Sequence, residues 1–345
     1  MVNATHSGPV LAEQTAPMVI GLDADMSSGA AEGGKSIQRG AELAIREIND
    51  NGGVLGRKME LVVRDHRGNP ARGKDNILEF AELKNLVAVL GGIHTPVAPH
   101  ELKDIHENKL IYLSPWAAGT PIVDNGFKPN FVFRVSVRDA LAGGFMVDHA
   151  IKSGYNKLGL LFERTGWGRS NERAVKTALA NLGMKPAGLE WFNWGVVDLT
   201  DEMERLSQKG AEVIILVANP REGGIAVSSM VARPETKRLP IISHWGISGG
   251  NFYADHKEHL KKVKLSFLQT FSFLRPPVPE RARSFFEAYQ RNYQKRSGPR
   301  MCYRRLAPHT PMILLIFWQR PLPWPGRQTA ARCAMHSKKL TPMRG

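Results

Sequence analysis

The sequence predicts an α/β protein with parallel sheets, and three observations support this prediction. Short apolar runs alternate with amphipathic helical patterns, which is the order that right-handed βαβ units produce. The runs Val87–Leu90 and Leu110–Leu113 have the length and composition of strands buried on both faces. At 345 residues, the chain is long enough for two domains, each with its own hydrophobic core.

The first half of the chain alternates strand and helix up to its best-defined stretch, Leu86–Pro121. The elements before it are predicted as a strand over Met18–Leu22, a helix over Ile37–Asn49, a strand over Lys58–Arg64 and a helix ending at Leu83. Within this stretch, two strands end in loops of small residues, Gly91–Thr95 and Ser114–Thr120. Ligands of open α/β sheets lie outside the carboxyl ends of strands, so these loops are the predicted floor of a binding site.

The second half repeats the alternation. The segment Phe131–Val135 is predicted to cross into it. The predicted elements that follow are helix Ala140–Ser153, strand Lys157–Phe162, helix Ser170–Leu182, strand Gly188–Trp194, helix Asp201–Lys209, strand Glu212–Val217, a helix opened by Asn219, and strand Pro240–Ser243. The segment Val263–Phe273 is predicted to cross back to the first half. An amphipathic helix over Glu280–Gln294 then follows.

The net charge of +15 is concentrated at the carboxyl end and does not predict a nucleic-acid partner. From Arg300 onward there are nine Lys and Arg residues and no acid, so the first 299 residues carry only the remaining six charges. Both cysteines, Cys302 and Cys333, lie in the same tail, which excludes a disulfide or thiolate site from the rest of the chain. No apolar run has the roughly 20 residues of a membrane span, so stable membrane insertion is not expected.

No arrangement of residues typical of a catalytic site is present, so the sequence predicts no enzyme, no cofactor and no metal site. The histidines do not form an HExxH motif, no serine lies in GxSxG, and no His, Asp or Glu cluster has metal-ligand spacing. His100 and His106 fall on one predicted helix, where solvent exposure is the expected role.

Gly29–Ser36 matches the phosphate-loop pattern GxxxxGK[ST] between a strand and a helix, which makes a nucleotide-binding enzyme one alternative. Asp23 and Asp25 place negative charge beside the supposed phosphates, and no later strand ends in a convincing magnesium-binding Asp. We therefore interpret Gly29–Ser36 as a glycine-containing turn at a helix start.

Several motifs, in order, carry a resemblance to a known family. They are MSSG at 26–29, EINDNGGVLGRKMELVVRD at 47–65, VAVLGG at 87–92 and LIYLSP at 110–115. In order and spacing the set resembles the branched-chain amino-acid-binding proteins, which are type I periplasmic solute-binding proteins of ABC importers. The match extends to about Gly298.

The resemblance implies two Rossmann-like lobes with parallel sheets, joined by a hinge. It places the amino-terminal lobe at 17–135, the carboxyl-terminal lobe at 136–263 and a return to the first lobe at 264–299. It also implies a periplasmic location, a small-molecule ligand held between the lobes by hinge closure, and an ABC transporter permease as partner. A cytosolic amide or amino-acid sensor of the same fold is the alternative.

The resemblance also implies ligand-binding residues. A hydroxyl after the VAVLGG strand and backbone amides of the SPxA loop would hold a ligand carboxylate, which points to Thr95 beside His94 and to Ala117 and Ala118. For Thr95, a helix N-cap is an equal alternative. The other side chains expected to reach the ligand are those of Trp116, Trp167, Asn219 and Trp245. For the three tryptophans, packing in the hinge or in the core is the alternative.

The loop His244–Gly246 departs from the family pattern. Amino-acid-binding members tend to place an acid there for the ligand's ammonium group, and this chain has none in that loop. Glu163 or Glu222 could substitute. The ligand class therefore stays open among a small carboxylate, an amide and a branched-chain-type amino acid.

The two ends of the chain carry separate expectations. The amino terminus has neither the basic start nor the apolar core of a signal peptide, which is expected of a cytosolic protein or of a mature or mis-started sequence. At 300–345 the pattern of elements stops and prolines become irregular. When the codons of this basic tail are read one base out of frame, they permit an amphipathic helix. A frameshift is therefore predicted in preference to a disordered interaction tail.

Overall fold

Two parallel five-stranded sheets, one in each lobe, organise the chain. The computed structural model describes residues 16–91, 93–273 and 277–293. The tail at 300–345 and its predicted frameshift lie outside the described residues. None of the helices in the described ranges is long and apolar enough to cross a bilayer.

The first sheet has the strand order β2-β1-β3-β4-β5, and all its pairings are parallel. In chain order its lobe contains β1 (Met18–Ala24), α1 (Ala31–Asp50), β2 (Met59–Asp65), α2 (Pro70–Ala81), β3 (Leu86–Leu90), α3 (Ala98–Glu107), β4 (Tyr112–Ser114), a 3₁₀ turn (Thr120–Ile122) and β5 (Val132–Arg134).

The second sheet has the order β10-β9-β8-β6-β7, also parallel throughout. Its lobe contains α4 (Asp139–Lys152), β6 (Leu158–Glu163), α5 (Gly166–Asn181), β7 (Gly188–Phe192), α6 (Thr200–Gln208), β8 (Val213–Val217), α7 (Pro220–Ala232), a 3₁₀ turn (Glu235–Lys237), β9 (Ile241–Ser243), a 3₁₀ turn (Trp245–Ser248), α8 (Phe252–Leu260) and β10 (Leu265–Phe267). The last described helix is α9 (Glu280–Tyr293). The α/β fold with two parallel sheets is therefore confirmed.

Each sheet is covered by helices on both faces, which is why its central strands β3 (LVAVL) and β8 (VIILV) are apolar without interruption. In the first lobe, Val89 of β3 packs with α2 and α3, whereas its neighbours Ala88 and Leu90 pack with α1. In the second lobe, Leu160 packs with α4 and α5, and Leu161 packs with α6, α7 and α8. This alternation follows from the two-residue period of a strand.

The carboxyl-terminal helix α9 packs on the first lobe. Phe285 and Tyr289 join Leu43 and Ala44 of α1 in one buried cluster. The Tyr289 hydroxyl accepts a hydrogen bond from Arg39 Nη1 at 3.0 Å. The chain thus leaves the first lobe between β5 and α4 and returns to it between β10 and α9.

Three local features differ from the sequence-based expectations. Helix α1 begins at Ala31, six residues before the predicted Ile37, and includes Gly33 and Gly34. Helix α8 was not predicted at all. Strand β10 pairs with β9, so the second sheet continues to Phe267, which lies within the segment Val263–Phe273 predicted to cross back.

His106 is a further correction. It is buried rather than solvent-exposed, because its Nδ1 contacts the Leu102 carbonyl at 2.6 Å and its ring stacks on Phe127 with centroids 4.0 Å apart. His100, on the same helix, is exposed as expected.

Candidate functional site

The carboxyl ends of strands from both sheets face each other across the cleft between the lobes. A small cavity of about 20 Å³ lies there, and it has room for little more than one water molecule. We call it the inner pocket. It is lined by all eight residues predicted from the sequence, namely His94, Thr95, Trp116, Ala117, Ala118, Trp167, Asn219 and Trp245, together with Ile93, Pro96 and Glu163.

The first-lobe wall of the inner pocket presents hydrogen-bond donors. Thr95 Oγ1 accepts a hydrogen bond from the Gly119 amide at 3.0 Å, which leaves its own proton to be donated. Thr95 does not cap a helix, because α3 begins at Ala98 and has no side-chain cap. The amides of Ala117 and Ala118 donate to no other group in the described part of the chain. A hydroxyl and two amides at one place suit a carboxylate.

His94 belongs to the first-lobe wall and is 7% exposed. Burial lowers the pKa of His94 to about 4, so the ring is neutral near pH 7. Its Nδ1 has no hydrogen-bond partner among the described residues. The rings of His66 and Trp194 lie on either side, each with its centroid 5.7 Å from that of His94.

The second-lobe wall is aromatic and is fixed from behind by a buried acid. Trp167 donates its indole N–H to Asp139 Oδ1 at 3.2 Å, and His244 Nε2 lies 3.2 Å from the same oxygen. The His244 ring stands perpendicular to Trp167 and contacts Trp245 at 4.1 Å between centroids. Trp245 in turn packs against Ala118, so this wall touches the first lobe.

Glu163, at the end of β6, holds two side chains of the second lobe in place. Its Oε2 accepts hydrogen bonds from Trp194 Nε1 and from Asn219 Nδ2, both at 3.1 Å. Its Oε1 accepts a hydrogen bond from the Thr165 hydroxyl at 2.6 Å. Burial raises the pKa of Glu163 to about 7, although these three donors favour the ionised form. The side-chain oxygen of Asn219, Oδ1, is left as a hydrogen-bond acceptor.

A larger cavity of about 380 Å³ adjoins the inner pocket, and we call it the outer cavity. The two cavities share Ile93, His94, Trp116 and Asn219. The remaining lining residues belong to the starts of α1, α7 and α8, and they are Gly29, Ala30, Glu32, Gly33, Pro220, Arg221, Ile225, Gly249, Gly250, Asn251, Phe252, Asp255 and His256.

Trp116 lines both cavities, and its ring lies close to both lobes. A Cβ built on Gly33 would lie 3.6 Å from the six-membered ring of the Trp116 indole, and one built on Gly249 of the other lobe would lie 3.7 Å from it. Both distances are those of ordinary van der Waals contact, so the indole lies against backbone of both lobes. A Cβ on Gly29, in contrast, would meet nothing within 4 Å, because this residue faces open space at the cavity edge.

In the segment that matches the phosphate-loop pattern, only Gly29 and Ala30 lie in the turn before α1, and Ala31–Ser36 belong to the helix, which corrects the interpretation of the whole segment as a turn. Asp25 Oδ1 accepts a hydrogen bond from the Ser28 amide at 2.7 Å, and Asp25 Oδ2 accepts one from the Ala30 amide at 2.8 Å. These are amides that a phosphate would need. Lys35 pairs with Glu32 at 3.2 Å on the surface. A Cβ on Gly34 would lie 2.0 Å from the Asp25 carbonyl oxygen, so glycine is required there for close packing.

Sequence reasoning missed Trp194 and most of the outer cavity. Trp194 lies in the loop after β7, and only its contacts with Glu163 and His94 reveal its position at the cleft. The outer cavity has a weak sequence signal, which is the glycine content of 29–34 and 249–250 at two helix starts. Within the described residues, no group of three or more His, Cys, Asp or Glu side chains is placed to hold a metal.

Comparison with known proteins connects this cleft to a family. A family model described as periplasmic binding protein matches residues 17–234. The Leu/Ile/Val-binding protein homolog 1 of Brucella abortus (strain 2308) is 27% identical over 219 residues, which cover 62% of this chain. The chain spans 57% of the length of that relative.

Two solved structures show the same fold at low sequence identity. The branched-chain amino acid transporter substrate binding protein LivJ of Streptococcus pneumoniae, in complex with isoleucine, aligns with a TM-score of 0.70 and 20% identity, over 86% of this chain and 80% of that one. An ABC transporter solute binding protein of R. palustris, in complex with 4-hydroxybenzoate, aligns with a TM-score of 0.73 and 18% identity, over 87% and 79%.

Proposed function

The chain belongs to the periplasmic binding protein family, and from that premise we propose that it is a solute-binding protein of an ABC importer. Its ligand is a small carboxylate, an amide or a branched-chain-type amino acid, bound between the two lobes. The family, expected from the sequence motifs, is confirmed. The ligand, the importer and the ligand-binding role of each side chain are the proposal.

One observation carries the proposal. Eight residues from five separate loops, chosen from sequence alone, all line a single pocket between the lobes. Five loops of two lobes converge on one pocket only if the strand ends of both sheets face each other. The first lobe presents the Thr95 hydroxyl and the Ala117 and Ala118 amides, and the second presents Trp167, Asn219 and Trp245.

Hinge closure is the mechanism that this arrangement supports. The His94 ring of the first lobe contacts Trp194 of the second, and the Thr120 amide donates to Ser170 Oγ at 3.1 Å. A ligand that touches both walls binds the closed form better than the open form and so shifts the equilibrium toward closure. The closed protein is then the form that a membrane permease recognises.

A thermal-shift screen with the purified chain tests the proposal. The panel contains L-leucine, L-isoleucine, 4-hydroxybenzoate, 3-phenylpropanoate, 4-methylpentanoate, acetamide and ATP. A compound present at 100 times its dissociation constant raises the free energy of unfolding by about 2.7 kcal/mol. Stabilisation by a carboxylate, amide or amino acid supports the proposal. Stabilisation by ATP alone, or by none of the seven compounds, contradicts it.

Tryptophan emission supplies a second, site-specific measurement. Trp116, Trp167 and Trp245 line the pocket, so a bound ligand should quench or shift their emission. The variant Trp116→Phe should lose part of that change. The matched control is Trp191→Phe, because Trp191 lies on β7 with its ring under the Arg169 guanidinium, 4.2 Å away, and lines neither cavity. An equal loss of signal in both variants contradicts binding at Trp116.

A further inference from the structure

We infer that the ligand is a carboxylate without an ammonium group next to that carboxylate, and that its apolar body occupies the outer cavity. The inference rests on the proposed function, because it concerns the same cleft. It narrows the ligand class that the sequence left open. It depends on the volumes of the two cavities and on the positions of the acidic side chains around them.

The available volume places the body of the ligand. The inner pocket, at about 20 Å³, holds a water-sized group, whereas the outer cavity, at about 380 Å³, is within the range for small-molecule sites. Only the carboxylate end of a ligand can therefore approach Thr95, Ala117 and Ala118. The rest of the molecule must pass Trp116 into the outer cavity.

The walls of the outer cavity suit an apolar body. Ile93 and Trp116 of the first lobe and Ile225 and Phe252 of the second line it. Gly29 and Gly250 leave space between them at the start of α1 and before α8. A flat or branched hydrocarbon group there would be covered by both lobes on closure.

An ammonium group beside the carboxylate would lie where the two cavities meet, at His94, Trp116 and Asn219. Trp116 offers no anionic group, and Asn219 offers only an amide oxygen. His94 is 7% exposed and its Nδ1 has no partner among the described residues, so it can form a hydrogen bond but supplies no negative charge. A cation at this junction therefore has no anionic partner in direct contact.

The nearby acids cannot replace that partner. Glu163 lines only the inner pocket, and three of its roughly four acceptor sites are already used, by Thr165 at Oε1 and by Trp194 and Asn219 at Oε2. Glu222 accepts from the Gly195 amide at 3.1 Å, and it lines neither cavity. Asp139 lies behind Trp167 and also lines neither.

The remaining acids of the outer cavity, Glu32 and Asp255, are solvent-exposed at its edge. Glu32 is already paired with Lys35. An exposed ion pair contributes little to affinity, so neither acid compensates an ammonium group that has lost its water at the junction.

Isothermal titration calorimetry with two matched ligand pairs tests the inference. The pairs are 3-phenylpropanoate with L-phenylalanine, and 4-methylpentanoate with L-leucine, and within each pair the compounds differ only in the ammonium group. We expect the compound without the ammonium group to bind at least 100-fold more tightly in at least one pair. Equal or tighter binding of the amino acid overturns the inference and leaves the proposed function intact.

The other outcomes also distinguish failure of the inference from failure of the proposed function. If neither pair binds but 4-hydroxybenzoate does, the inference stands, because that ligand is also a carboxylate without an ammonium group. If only isoleucine or acetamide binds, the inference is wrong and the proposed function stands. If nothing in the panel binds, both fail. As a check on Glu163, the variant Glu163→Gln should leave the affinity ratio within each pair unchanged within threefold. A selective loss of amino-acid binding in this variant shows that Glu163 contacts the ammonium group, which contradicts the inference.

Discussion

The inner pocket and the outer cavity adjoin each other but are built from different parts of the fold. The inner pocket is formed by loops that follow β3, β4, β6, β8 and β9, whereas the outer cavity is formed mainly by the starts of α1, α7 and α8. The inner pocket has almost no free volume, and the outer cavity has most of it. The residues that fix the end of a ligand and the residues that make room for it are thus on different elements.

The two regions also differ in how their ionisable groups are placed. His94 and Glu163 of the inner pocket are buried, and burial shifts both pKa values toward the neutral form. Glu32 and Asp255 of the outer cavity are exposed. A change of pH should therefore affect the protein mainly through the inner pocket. A substitution that fills space should affect it mainly through the outer cavity.

The largest expected effect is the loss of stability in acid that two buried histidines, His66 and His94, produce. Burial lowers the pKa of His66 and of His94 to about 4, from 6.5 in the unfolded chain. Below pH 6.5 the unfolded state binds protons that the folded state does not, so stability falls between pH 6.5 and about pH 4. Each histidine contributes up to about 3 kcal/mol to this loss.

Urea unfolding of the wild type and of His94→Gln at pH 7, 5.5 and 4 measures the effect. The raised pKa of Glu163 acts in the opposite direction, since its contribution decreases as pH rises from 4.5 to about 7. Only the difference between variant and wild type isolates His94. We expect the stability of His94→Gln to depend less steeply on pH. His149→Gln, at an exposed position on α4, is the control, and identical slopes for both variants contradict the prediction.

The second effect concerns the carboxylate end of the ligand. Thr95→Ala should weaken binding of a carboxylate from the screen by about 1.5–3 kcal/mol, the range for a hydrogen bond to a charged group. Thr95→Ser keeps both the hydroxyl proton and the acceptor for the Gly119 amide, so it should retain most of the affinity. Calorimetry on the two variants checks this. If serine is as weak as alanine, the hydroxyl does not contact the ligand.

The third effect tests the outer cavity by filling it. Gly29→Phe places a ring at the edge of the cavity where a Cβ meets nothing, so folding should be unaffected. We expect the affinity for the best ligand of the screen to fall at least tenfold, or about 1.4 kcal/mol. Gly144→Phe is the matched control, because a Cβ at Gly144 on α4 also meets nothing within 4 Å and this residue lines neither cavity. Equal affinities in both variants would show that the ligand does not use the outer cavity.

The same comparison explains how far the sequence could be interpreted. The eight site residues were taken from the family resemblance, and the strand pattern agrees with it, because each of them follows a short strand and parallel strands that share a sheet end at one edge. A position just after a predicted strand is therefore enough to place a residue at that edge of the sheet. Trp194 could not be found this way, because its position depends on a hydrogen bond to Glu163, 31 residues away, and on a ring contact across the cleft.

The outer cavity was missed for a related reason, which concerns the helix starts. The glycines at 33 and 34 disfavour a helix by local propensity, at about 1 kcal/mol each. In the folded chain they lie inside α1, because close approach of Gly34 to the Asp25 carbonyl requires the absence of a side chain. Helix α8 was missed because Phe252 is its one buried residue, so it shows no apolar period.

The smallest expected effect separates the two interpretations of Gly29–Ser36. Lys35 would contact a nucleotide phosphate if this segment were a phosphate loop, but here it pairs with Glu32 at an exposed position and lines neither cavity. Exposed pairs of this kind contribute about 0–1 kcal/mol. Lys35→Ala should therefore lower the free energy of unfolding by less than about 1 kcal/mol and leave carboxylate affinity nearly unchanged. Parallel titrations of wild type and variant with ATP and with the best carboxylate check both statements. A large loss of ATP binding in Lys35→Ala would make the outer cavity part of a nucleotide site, because Gly29, Ala30, Glu32 and Gly33 line it.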